Sequence, residues 1–173
     1  MNTTNHHARN DTPILRCDDL PVGQLATLVQ HYGLQLINVD KTDNIPGSYW
    51  GETEAGLIEN RLYVRTDTPV HSALHEACHY VCMTHARRQQ LNTDAGGDYD
   101  EENGVCYLQI VLSEQLASMG RQRMFSDMDR WGYSFRLGSS QAWFERDADD
   151  ARQWLHEAGL IDSQLMPTWK LRQ

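Results

Sequence analysis

The chain has 173 residues, of which 40% are hydrophobic and 23% charged, enough for one globular domain with a real core. Its formal net charge is -9 with a pI near 5.2, which argues against a nucleic-acid surface and against anionic membranes as partners. No run approaches the length of an apolar membrane span, and residues 1–11 lack the apolar stretch of a secretory signal, so a cytoplasmic location is expected.

Residues 1–12 read as a disordered lead-in, and 13–173 as a single domain. His6 and His7 in the lead-in read as bystanders rather than ligands. A first helix is predicted over 20–32, with Asp18 or Asp19 as cap, Pro21 in its first turn and Gly33 as its stop. Residues 34–39 alternate as a strand, and 43–51, with Pro46, Gly47 and Gly51, read as a loop. Around Glu59-Asn60, residues 56–58 and 61–64 form a kinked strand or a short hairpin.

Thr66-Asp67-Thr68-Pro69 signals a helix start, predicting a helix over 69–85 with Pro69 in its first position. A loop follows over 89–100. Further helices are predicted over 100–119, ended by Gly120, then over 121–131, and from a Ser139 or Ser140 cap to Ala158. The fold class is therefore α+β: a small sheet packed beside the 69–85 helix, with a helical C-terminal portion.

The chemistry lies in the helix over 69–85, which contains His75-Glu76-Ala77-Cys78-His79, an HExxH pattern. Two histidines four residues apart project from one helix face, so both imidazoles can reach one metal ion. Glu76, beside the first ligand, can reach water on that ion, which is the arrangement for metal-assisted hydrolysis with a carboxylate base. Chance placement of eight His would produce the pattern in about one such chain in fifty, so its helical setting carries more weight than the bare match.

A catalytic zinc takes three protein ligands and leaves a position open. Asp98, Asp100, Glu101, Glu102 and Glu114 are the downstream candidates for the third. Glu101 is preferred, because it shares a helical stripe with Val105, Leu108 and Leu112, where a carboxylate is costly unless paired or metal-bound. Glu102, on a face with Cys106 and Gln109, is the runner-up. Acidic residues also favour helix N-termini for electrostatic reasons alone. His71 lies one turn before His75 and reads as a supporting or substrate-side group, since three ligands stacked on a straight helix do not converge.

Gly56-Leu57-Ile58, Arg61 to Arg65, Leu74 to Tyr80, Glu101 with Gly104 and Tyr107-Leu108, and the Ile45 to Trp50 loop together resemble the ImmA/IrrE-type metallopeptidases. The resemblance covers about residues 20–115 and implies a gluzincin-like zinc peptidase, in which a Glu on a later helix completes the site. It also implies an alternative, a metal-stabilised protein-binding or regulatory module without significant turnover, and leaves room for a protein regulator.

The expected substrate is a peptide or protein, seated by strand addition along residues 57–65. His71, Tyr99 and Tyr133 are the candidates for stabilising the oxyanion. The tryptophans and phenylalanines of the last third read as packing between helices rather than a binding patch. Cys17, Cys78, Cys82 and Cys106 contain no CxxC pair and read as buried, inert thiols.

Overall fold

A computed structural model describes residues 12–173. The lead-in, with His6 and His7, lies outside the described residues except for Thr12. Described residues form an α+β structure of seven helices and a three-stranded mixed sheet. None of these helices is long and apolar enough to cross a membrane.

Helix α1 (Gln24–Gln30) is shorter than the predicted span, because Gly23 takes a left-handed conformation, φ 81°, at its entry. Asp18 and Asp19 sit instead in a separate turn, where Asp19 accepts the Arg16 amide at 2.8 Å. Leu25, Leu28 and Val29 are the buried face of α1.

The sheet contains β1 (Gln35–Asn38), β2 (Gly56–Ile58) and β3 (Arg61–Val64), in the order β1-β3-β2. β2 and β3 are an antiparallel hairpin, Leu57 opposite Leu62, and β1 runs parallel to β3. The central strand β3 thus has both edges paired. The outer edge of β2 is also taken: Leu57 donates to Gly47 O at 3.1 Å, and Thr93 donates to Leu57 O at 2.9 Å. Strand addition along 57–65 therefore has no free edge of β2 or β3 to use. Gly56 permits this crossing of chains, since a Cβ there would stand 1.9 Å from Pro46 O.

Helix α2 (Val70–Cys82) carries the HExxH pattern and is buried almost all round, between the β2–β3 hairpin and the helices Tyr99–Ser113 and Gly120–Trp131. Pro69 lies just outside it, with extended backbone (φ −61°, ψ 137°), rather than in its first turn. The helix also stops before 85, because Met83 and Thr84 are extended, and the chain restarts as the single turn α3 (His85–Arg88).

Helix α4 (Tyr99–Ser113) is capped by Asp98, whose carboxylate accepts the Glu101 amide at 2.9 Å. It ends earlier than predicted, in turns over 114–119. Gly120, φ 63°, opens α5 (Gly120–Trp131) rather than closing α4.

The predicted last helix is two, α6 (Ser140–Arg146) and α7 (Asp149–Glu157), broken at Asp147, which Arg136 holds at 2.8 and 3.1 Å. Ser139 caps α6 as expected, accepting the Ala142 amide at 3.1 Å. Tyr107 stacks on Phe144 at 4.4 Å and Phe135 on Trp143 at 4.7 Å, so these aromatics are packing. Cys78 and Cys82 are buried in the same core, and all four cysteines are free.

Candidate metal centre

The one-turn spacing of α2 brings the two histidines together as the pattern predicts. His75 Nε2 and His79 Nε2 stand 3.1 Å apart. The third group is Glu102, from the first turn of α4: one oxygen is 3.3 Å from His79 Nε2, the other 4.0 Å from His75 Nε2. One ligand atom from each of the three residues lies within 4.8 Å of the others.

Glu101, the expected third ligand, is turned away. It is 3% exposed, as its apolar stripe demands, but its partners are cationic. Arg87 Nη1 donates to both its oxygens at 2.8 Å, and Arg172 Nη1 donates to one at 2.9 Å. Burial of a carboxylate required a partner, and two guanidinium groups supply it. Arg87 also donates to Ala95 O, so the same ion pair ties down the segment that walls the site. Arg172 lies over the Trp154 ring, 4.8 Å from its centroid, and donates to Cys82 O at 3.2 Å.

The three residues meet the requirements of a metal site. Two nitrogens each about 2.1 Å from a tetrahedral ion stand about 3.4 Å apart, close to the spacings between these ligand atoms. Burial holds His79 neutral, assisted by His75 and Arg87, and burial lowers His75 likewise against the raising effect of Gln109. A neutral imidazole is the form that binds metal.

Gln109, fully buried on α4, selects the tautomer of His75. Its Oε1 is 3.0 Å from His75 Nδ1, while its Nε2 donates to His71 O at 3.0 Å. Since the amide NH₂ is committed to a carbonyl, the oxygen must accept from Nδ1–H, leaving His75 Nε2 with a lone pair toward Glu102. Sequence reading placed Gln109 on a helix face but gave it no role; a polar residue inside the apolar run from Tyr107 to Leu112 was the available signal. Gln109→Leu is expected to weaken metal binding by about 10- to 100-fold, read by competition with a chromogenic chelator. An unchanged affinity would remove Gln109 from the site. His79 Nδ1 is buried with no partner among the described residues, so His75 is the better oriented of the two.

Glu76 is buried but lines the cleft. Burial, followed by the nearby Glu54 and Glu102, pushes its carboxyl up to about 8. Two adjoining clefts open on the site. One, of about 380 Å³, is bounded by Tyr49, Trp50, Glu102 and residues 93–97; the other, of about 240 Å³, by Trp50, Glu54, Ser72 and residues 131–133. His75, Glu76 and Trp50 belong to both.

Among the oxyanion candidates, Tyr133 lines the second cleft and has its hydroxyl 3.5 Å from His71 Nδ1. Tyr99 is exposed and lines neither cleft, and His71 is wholly buried beneath Trp131 and Tyr133. His71 supports the site through its carbonyl, which holds Gln109. Compared with protein families, curated proteins and solved structures, the chain matches none.

Proposed function

We propose that this chain is a zinc-dependent peptidase, resembling the ImmA/IrrE type, with His75, His79 and Glu102 as ligands and Glu76 as general base. One observation carries the reading: the three ligand groups converge beside a second carboxylate, Glu76, that is outside the cluster yet lines the same cleft. A purely structural zinc site closes with four protein ligands and has no use for a base.

When bound, zinc supplies a Lewis acid for the scissile carbonyl and acidifies the attacking water. Glu76 accepts the proton from that water and passes it to the leaving amine. The positive charge of a zinc bound beside it would offset the burial that raises its proton affinity and keep Glu76 ionised for the first step. Trp50 and residues 93–97 flank the cleft in which the substrate backbone lies.

The test is elemental analysis of untagged protein together with hydrolysis of fluorescently labelled casein. One zinc per chain is expected, with hydrolysis stopped by a chelator and restored by zinc. Absence of stoichiometric metal after zinc is offered would defeat the reading. Stoichiometric zinc without hydrolysis of any protein would instead favour the regulatory-module alternative.

A further inference from the structure

The second cleft has a composition the proposed chemistry does not use. Its described lining includes two carboxylates, Glu54 and Glu76, and the aromatic rings of Trp50, Trp131 and Tyr133, but no Lys or Arg. Glu54 is fixed there: Trp131 Nε1–H donates to its Oε1 at 2.9 Å. Among the described residues its other oxygen has no hydrogen-bond partner.

Trp50, at the junction of the two clefts, is 75% exposed. Its ring contacts Tyr49 edge-on at 5.2 Å and carries no cation among the described residues. Trp131 already has the Arg16 guanidinium 5.8 Å from its ring centroid, which leaves Trp50 as the free aromatic face. The larger cleft adds Asp94 and Glu102 and likewise has no basic lining residue.

Resting on the peptidase reading of this site, we infer that the pocket bounded by Trp50, Glu54 and Trp131 receives a Lys or Arg side chain adjacent to the scissile bond. An aromatic face beside a fixed carboxylate attracts a cation by both its quadrupole and its charge. An acidic side chain there meets the Glu54 carboxylate and is rejected, so the pocket discriminates by repulsion as well as attraction. The stem of a Lys or Arg packs on Trp50 while its charged head reaches Glu54.

The test uses zinc-loaded full-length protein and peptide hydroxamates, which chelate the metal, bearing lysine, norleucine or glutamate on either side of the chelating group. Binding is read by calorimetry. The lysine compound in one of the two placements is expected to bind about tenfold tighter than its norleucine counterpart, and the glutamate compound weakest. Glu54→Gln keeps an acceptor for the Trp131 indole and is expected to reduce the lysine preference to within about threefold. Glu54→Lys should favour the glutamate compound.

Equal binding of lysine and norleucine compounds in both placements, or a preference unmoved by Glu54→Gln, overturns the inference and leaves the metal centre standing. Failure of all the hydroxamates to bind overturns the peptidase reading and this inference with it.

Discussion

Glu76→Gln is expected to retain its metal and its fold while losing hydrolysis by about a hundred- to ten-thousand-fold, the range a general base contributes. Glu76 stands outside the ligand cluster, so its replacement removes no bond to the metal. Burial already favours its uncharged form, so a neutral amide of the same shape suits the position. Elemental analysis and casein hydrolysis on the same preparation provide the check. Activity within about tenfold of wild type would exclude Glu76 as the base.

The second large effect separates two adjacent carboxylates. Glu102→Ala is expected to abolish stoichiometric metal while leaving the metal-free fold nearly as stable as before. The Glu102 side chain is 45% exposed, and its ion-pair contacts are with the two histidines, both held neutral.

Glu101→Ala should do the reverse. It leaves the ligands in place but strands two guanidinium groups, each about a third exposed, at a cost of about 3 kcal/mol. Denaturant unfolding of metal-free protein measures the stability, and elemental analysis the metal. Loss of metal in Glu101→Ala with its stability intact would return Glu101 to the ligand set. The wall at 93–97 is also expected to loosen in that variant, because Arg87 joins Glu101 to Ala95.

Local pattern carried much of this far. Four-residue spacing put His75 and His79 on one face of α2, because helical geometry is set by neighbouring residues alone. The β2–β3 hairpin, the Ser139 cap and the buried stripe of α4 were legible for the same reason. Helix ends were less so. The single last helix breaks at Asp147, where the Arg136 pair meets the chain, and α2 stops at Cys82 with no Gly or Pro to mark it.

What the sequence by itself determined is which faces are buried and that a buried carboxylate on α4 needs a partner. Only the tertiary structure decided which partner. Adjacent helical residues point about 100° apart, so Glu101 and Glu102 must face different neighbours. Arg172, 71 residues from Glu101, and Arg87 on α3 claim the first, which leaves Glu102 to the histidines. Gln109 is 34 residues from the His75 it orients and joins it only because α4 packs along α2. Periodicity encodes the face a residue presents, whereas the atoms meeting that face come from remote segments that periodicity does not describe.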